Sequence, residues 1–499
     1  MIRNEYIKQT EFETVTIEQL VPQDHLLRKI DESFDFSFVR QRMEPLYCRK
    51  NGRPAIDPVV LFKMLFIGYV FGIRSERQLE KEIQVNVAYR WFLNLNLTDR
   101  IPDHSTISQN RRRRFQGTDV FREMFNDVVQ FAYDHEFIDG KVLFTDSTHL
   151  KADANKKKFT RELVRENTKH YLDDLENAVA ADRIKHGKKP LAPKPDAEEE
   201  AMKEIKVSKT DPESGYMARP NKPEGFHYLD HRTCDNKHNL ITDVHITPGN
   251  VHDSTVYVDR LEHQVERFGF DVEAVGLDSG YHTTNICKTL IEKDIFAVIS
   301  YRKPGGSKGL YRKSKFSYDS QNDHYTCPQG QILKYKTTGR TGSRQYVSDS
   351  KVCSVCPNLN DCTNNKKHQK IIDRHVWEHY VEKVKDNRKS EMGDYIKKRR
   401  SETVERSFAD AKQLHGYRYA RFRGLEKVET QALMTAIAQN IKKMVLLIDK
   451  YSKKQDGKGR SRGLSSFFAR ILCVWGRILS LFDESAAFYR IFRNPLLAF

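Results

Sequence analysis

The spacing of apolar residues changes its period along the chain. In the first part the period is helical. PVVLFKMLFIGYVFGI is almost continuously apolar and predicts a helix with Pro58 at its first position, after a turn punctuated by Pro54 and Pro58. ERQLEKEIQVNVAYRWFL predicts a second helix over roughly Glu76 to Leu93. A third begins at DHSTISQNRRRRF, where Asp103 or Ser105 can cap the free amides. From about residue 138 the pattern becomes strand-like. VLFTDS reads as a short buried strand, and GFHYLDHRTC and NLITDVHIT as two strands around the polar turn DNKH. TPGNVHDS starts a helix over STVYVDRLEHQVERF; VEAVGLDS is a strand, TTNICKTLIEKD a helix and IFAVISY a strand. The order is strand, strand, strand, helix, strand, helix, strand, which is an α/β arrangement.

Two stretches interrupt this order. The first, about 151–224, is polar and holds KKPLAPKPDAEEE, whose prolines and charge blocks predict an exposed, partly flexible insertion. The second, about 303–390, carries a cluster of cysteines. A long helix is then expected from about Gly393 into GYRYARFRG. An amphipathic helix follows, with Val428, Ala432, Ile437, Ile441, Met444 and Ile448 near one face. A basic linker, KKQDGKGRSRG, leads to an apolar helical tail over the rest of 451–499, suited to packing on this chain or a second copy. The expected domains are a helical one over 1–135 and an α/β one over 136–450.

Charge narrows the function. Lys and Arg total 85 against 68 Asp and Glu, a net charge of +17. Such an excess fits a polyanionic partner, because basic side chains gain affinity by releasing counterions condensed on phosphates. No signal-peptide core and no membrane-length apolar run is evident, and LSSFFARILCVWGRILSLF is broken by Arg470 and Arg477. Eight cysteines are too sparse for a disulfide scaffold, so the expectation is a soluble cytoplasmic protein that meets the nucleoid.

Three carboxylates fall where that partner could be worked on. Asp146 is expected at the end of the first strand, Asp278 at the end of the fourth, and Glu405 on the helix after the last. Residues distant in sequence converge where strand ends of one sheet open onto loops. Three such carboxylates offer the hard oxygen ligands that Mg2+ prefers. Two ions about 3.5 to 4 Å apart would activate a water or a DNA 3′-hydroxyl and stabilise the leaving oxygen. Glu405 and Lys412 are seven residues apart, so a helix turns them to within ~20° of each other. A metal-binding carboxylate would then share a face with a phosphate-binding cation. Val404, Phe408 and Ala411 form the adjacent apolar stripe, and Glu402, about 60° away, is the alternative ligand.

FTDSTHLKADANKKK, TPGNVHDS, GLDSGYH and SETVERSFADAKQLHGYRYARFRG resemble the motifs of bacterial insertion-sequence DDE transposases. PDHSTISQNRRRRF and GRPAIDPVVLFKMLFIGYVFGIRSERQLE resemble the N-terminal domain of the same proteins, and the likeness runs over roughly residues 15–450. It implies an RNase H-like catalytic core on a mixed five-stranded sheet, behind a helical, helix-turn-helix-like domain that recognises terminal inverted repeats. Asp146, Asp278 and Glu405 match the family's two Asp and its Glu. Two Mg2+ or Mn2+ ions, double-stranded DNA at the element ends and target, and a homodimer on DNA are implied with them. The family's Tyr, two residues, Arg, three residues, Glu, six residues, Lys is only half kept. Lys398 and Ser401 stand at the Tyr and Arg places, with Tyr395, Arg399 and Arg400 nearby as substitutes. Glu402 has Ala409 where the Lys belongs, which favours Glu405. A metal-dependent nuclease on the same fold, or a DNA-binding relative without catalysis, are the competing readings.

Other residues carry weaker signals. His252 and Asp253 also resemble family motif residues, though Asp253 suits a helix cap; Tyr281 and His282 either approach a scissile phosphate or shape the turn after Asp278. Two of Arg111, Arg112, Arg113 and Arg114 can meet a DNA backbone while the helix presents Ser108 or Asn110 to a groove. Cys327, Cys353, Cys356 and Cys362 have the look of a structural Zn2+ site, with His324 able to complete or replace a ligand. Cys48, Cys234, Cys287 and Cys473 read as buried thiols.

Overall fold

A computed structural model describes residues 13–48, 55–165, 172–192, 202–218, 224–301 and 309–456. The apolar tail with Cys473, most of the basic linker, and the acidic, proline-containing stretch 193–201 lie outside them. Two units divide the chain: one takes residues up to Ile138, Leu414–Gly416 and those from Leu433 on, the other Asp139–Gln413 and Tyr417–Ala432.

The first unit is helical. Its elements are α1 (Ile17–Leu20), α2 (Leu26–Ser33), α3 (Ser37–Met43), α4 (Pro58–Val70), α5 (Glu76–Val85), α6 (Val87–Phe92), α7 (His104–Asn110) and α8 (Val120–Asp134). Asp57 caps α4 by accepting from the Val59 amide, with Pro58 at the first position. Residues Leu61 to Val70 are all buried, as expected of a helix apolar on every side. Lys63 within that run is satisfied by Asp31 at 2.7 Å and by the rings of Phe36 and Phe92. The helix expected over Glu76 to Leu93 is broken in two. Asn86 leaves the helical region and caps α6, its side chain accepting from the Ala88 and Tyr89 amides.

The second unit is built on a mixed sheet. Strand β1 (Val142–Lys151) leads into the first insertion, which forms the hairpin strands β2 (Phe159–Arg165) and β3 (Met202–Ser208) with helix α9 (Leu172–Lys185) between them, then the short β4 (Gly215–Met217). After it come β5 (Gly225–Asp235), β6 (Ile241–Pro248), α10 (Tyr257–Phe268), β7 (Ala274–Leu277), α11 (Thr284–Glu292) and β8 (Phe296–Ile299). The order across the sheet is β4-β5-β1-β7-β8, with β6 also pairing β5. Strands β1, β7 and β8 run parallel, whereas β5 is antiparallel to β1, β4 and β6. The sheet has six strands rather than the expected five, because the end of the first insertion adds β4 to the edge of β5.

The second insertion makes its own antiparallel sheet. Its elements are β9 (Ser317–Asp319), β10 (His324–Thr326), β11 (Ile332–Thr338), β12 (Ser343–Val347), α12 (Ser350–Ser354), α13 (Leu359–Cys362) and β13 (Ile371–His375). Phe316, Tyr325, Leu333, Tyr346 and Ile372 form its small core. The first insertion is not merely an exposed loop, since α9 packs on this second sheet. Buried Asp182 accepts from Thr338 Oγ1 and pairs with Arg344, both at 2.5 Å, and the His186 ring stacks on Tyr335 at 3.7 Å. Asp182, His186 and Arg344 hold the two insertions together.

Helices α14 (Glu378–Asn387) and α15 (Glu391–Arg400) follow, then a π-helical turn at Ser401–Glu405, α16 (Arg406–Leu414) and α17 (Leu425–Asp456). Val404, Phe408 and Ala411 are buried, as are Val428, Ala432, Ile437, Ile441, Met444 and Ile448 of α17. No helix among the described residues is long and apolar enough to cross a membrane.

Candidate functional site

Asp146 does not end its strand; it lies in the middle of β1. It does end the parallel part. The last parallel pair is Thr145 with Leu277, so Asp146 and Asp278 are the next residues on two adjacent strands. Beyond that point β1 continues against β5 alone, which pairs Asp146 with Arg232. Asp278 closes β7 and caps the following turn, its carboxylate accepting from the Ser279 amide at 2.6 Å.

The third carboxylate is reached through an arginine. Arg400 donates to Asp146 Oδ2 at 2.8 Å and to Glu405 Oε1 at 2.7 Å, bridging the strand and the helix. Two residues further along the same face of β1, Thr148 accepts from Lys412 Nζ at 2.5 Å. The face that carries Glu405 and Lys412 is therefore turned toward the Asp146 side of the strand, as the seven-residue spacing predicts. Glu402 is turned elsewhere. Its carboxylate accepts from Arg399 at 2.7 Å, and that guanidinium is fixed on the Asn236 carbonyl in the β5–β6 turn.

Burial pushes the Asp146 carboxyl up to about 6, with Arg400 and the Ser147 amide working against the rise and Asp278 adding to it. A carboxyl raised by burial next to a second acid marks a candidate functional group. Beneath it lies a cation the strand pattern did not disclose. Arg232 is fully buried, donates to Asp230 at 2.7 Å and to Ser407 Oγ at 3.0 Å, and lies under the Phe408 ring. The signal was present in HYLDHRTC, where charged residues alternate in a strand covered on both faces.

On the other face of the sheet, Ser147 donates to Asp253 at 2.7 Å. The cap of the 3-10 turn at Asp253–Thr255 is His252, which accepts from the Ser254 amide, so Asp253 is a site neighbour rather than the cap. Tyr281 is 1% exposed and faces inward, and burial with Asp253 and Asp146 nearby raises its hydroxyl well above the ordinary range. It shapes the interior and does not face a phosphate from solvent. His231, beside Asp253, is pushed down to about 3 by burial and is neutral. His282 is also lowered by burial, its ring 5.0 Å from that of Tyr301.

In the helical unit the arginine run divides in two. Asp103 caps α7, and the run itself forms a π-helical turn, Arg111–Phe115. Arg111 pairs with Glu76, and Arg114 bonds Asn110 and covers the Tyr47 ring; Arg112 and Arg113 are exposed. Asn110 cannot be presented to a groove, because it is buried and donates to the Thr106 carbonyl. Glu80, Asp103 and His104 are the one set of three metal-type side chains among the described residues whose ligand atoms lie within 4.8 Å of one another. His104 is engaged by Glu80 at 2.7 Å, which braces α5 against α7, and Asp103 by the Ser105 amide, which caps α7. Asp146, Asp278 and Glu405 are spread more widely than that, with Arg400 between the first and the last. The four clustered cysteines are all free thiols, and Cys48 is exposed rather than buried.

Two family models match the chain. A transposase domain (DUF772) matches residues 15–113, and a transposase DDE domain matches residues 326–445. The second match includes Glu405, Lys412 and the cysteine cluster; Asp146 and Asp278 lie outside it. No curated protein matches the chain. Among solved structures, a cryo-EM structure of the piggyBac transposase synaptic complex with hairpin DNA aligns over 95% of this chain and 82% of that one, at 13% identity and a TM-score of 0.33. The two matched segments are thus both of transposase type, the second a DDE domain.

Proposed function

We propose that the chain binds the terminal inverted repeats of its own mobile element, and cleaves and joins DNA strands there with Asp146, Asp278 and Glu405 as ligands of divalent ions, magnesium or manganese. The observation that carries this is the strand register, which ends the parallel pairing at Thr145 and Leu277 and so sets the two Asp side by side. The order β6-β5-β1-β7-β8, three antiparallel strands and then two parallel ones, supports an RNase H-like core.

The donor set fits hard cations, since all three side chains offer carboxylate oxygen. The raised Asp146 carboxyl beside Asp278 fits as well, because a cation relieves the cost of holding both charges in a buried place. Divalent ions bound here supply the Lewis acidity that activates a water or 3′-hydroxyl and stabilises a leaving oxygen. Arg400 neutralises the acids meanwhile, and on releasing either one it has donors free for a phosphate. Lys412, over Thr148 on the same face, holds a second phosphate position as a point charge. Arg112 and Arg113 contact the DNA backbone, which suits two adjacent exposed arginines.

The test uses the full chain and two labelled DNAs, one carrying an intact element end to read cleavage and one a precleaved end to read joining. Joined products are expected in Mg2+ or Mn2+ with wild type and none with Asp146→Asn. Cleavage by Asp146→Asn at the wild-type rate would overturn the assignment, and cleavage without joining would favour a nuclease.

A further inference from the structure

We propose that Cys327, Cys353, Cys356 and Cys362 form a structural zinc site that fastens the end of the five-stranded sheet of the second insertion. Catalysis has no use for these residues, and the inference stands independently of the carboxylate assignment.

The sulfurs come from three separate segments. Cys327 follows β10 in the turn Cys-Pro-Gln-Gly, which Gly330 closes at φ +74°. Cys353 lies in α12, and Cys356 is one turn further on, its amide bonded to the Cys353 carbonyl at 3.1 Å. Cys362 ends α13. These segments converge, for the groups acting electrostatically on the Cys362 thiol include the other three cysteines, with Lys370 opposing them.

One sulfur already accepts from the main chain. The amides of Gln329 and Gln331 both donate to Cys327 Sγ, each at 3.3 Å. A neutral thiol is a weak acceptor and rarely draws two main-chain donors. Amides aimed at sulfur favour its charged form, which is the form that ligates a metal. Lys370 adds a cation beside the cluster, its ammonium held by the carbonyls of Tyr311 and Cys362 at 2.8 Å each. That charge offsets part of the surplus negative charge of four thiolates around one divalent ion. His324 is not needed as a ligand, because its ring turns to Asp319 across the β9–β10 pair.

The fold supplies the reason for an ion. Five short strands share a buried core of five side chains, against which Cys327 and Cys362 pack at the margin. Cores that small are commonly completed by a disulfide or a metal. A tetrahedral set of sulfurs at about 2.3 Å from Zn2+ would tie the Cys327 turn to α12 and α13, drawing in sulfurs that are more widely spaced without it.

The experiment takes the full chain, expressed in zinc-supplemented medium and purified without chelator. Elemental analysis is expected to find about one zinc per chain, as a single four-thiolate site requires. A mercurial thiol reagent should release it into a colorimetric indicator. The double variant Cys353→Ser, Cys356→Ser should lose nearly all the zinc, and Cys48→Ser should retain it. If the double variant proves insoluble, wild type refilled with Co2+ decides, since tetrahedral thiolate coordination gives intense sulfur-to-metal charge-transfer and d–d bands. Zinc-free wild type, a cobalt form without those bands, a disulfide among the four in the purified chain, or full zinc in the double variant would each overturn the proposal.

Discussion

Asp146 is held between opposing influences, and their balance is measurable. Burial raises its carboxyl to about 6, while Arg400 and the Ser147 amide pull it down. A cation entering the site has to displace the proton below that pH. The Mg2+ concentration needed for half-maximal cleavage should therefore climb as pH falls below about 6, approaching roughly tenfold per unit. A metal requirement that stays flat from about pH 8 to 5 would contradict the assignment. The same shift has a stability consequence of definite sign. The folded state holds its proton more tightly than the unfolded chain, so Asp146 costs stability as pH rises from 3.8 through about 6. Asp146→Asn should then be more stable to unfolding than wild type at neutral pH, by up to about 2 kcal/mol, while losing cleavage by a thousandfold or so. Glu405→Gln should lose cleavage comparably, and Glu402→Gln should stay within about threefold of wild type. The seven-residue spacing was enough to favour Glu405 in the sequence. The sequence named Arg400 only beside Tyr395 and Arg399 as a substitute; the π-helical turn at Ser401–Glu405, which sets residues five apart over one another, is what brings Arg400 to Glu405.

At the scale of elements, periodicity and caps located β1, β5, β6, β7, β8, α4, α10 and α11, but not the strands of the two insertions or the packing of polar segments. Helix α9 has no strong apolar face, so nothing in its pattern says that it docks. Leu175 and Val179 pack with Val376 and Trp377, and polar contacts add to them: Asp182 with Arg344, Arg183 on the Thr338 carbonyl, and His186 on Asp323 at 2.6 Å. Asp323 shows how much such contacts contribute. Burial alone would raise its carboxyl, yet hydrogen bonds from Tyr318, Tyr346 and His186 outweigh that and bring it down to about 2. A depressed carboxyl contributes stability that is present above 3.8 and lost as pH falls toward 2. Its contribution near pH 7 is on the order of 2 kcal/mol, the free-energy equivalent of the shift. Asp323→Asn should therefore speed amide exchange in β9 to β12 about tenfold or more at neutral pH, with the difference vanishing at the acid end. Equal exchange in the two proteins at pH 7 would remove the network from any stabilising role.

For the whole molecule, a net charge of +17 announces a polyanion but not where it is met. The sequence left two of the run Arg111 to Arg114 to meet a DNA backbone without saying which two. The π-helical turn splits the run, committing Arg111 to Glu76 and Arg114 to Asn110 and Tyr47, and leaving Arg112 and Arg113 exposed. These two pairs should fail in different ways when replaced. Arg111→Ala and Arg114→Ala remove partners from partly buried contacts and should lower the melting temperature of the helical unit. Arg112→Ala with Arg113→Ala should leave that temperature alone and weaken DNA binding. If each of the two neutralises one phosphate, the double variant's log–log dependence of affinity on salt should be shallower by about 2. The loss should be alike for element-end and unrelated DNA, because phosphate contacts position without reading sequence. An unchanged salt slope would place the backbone contacts on other surfaces. A loss confined to element-end DNA would instead make Arg112 and Arg113 readers of base edges, and the helical unit's specificity would then reside in the turn after α7.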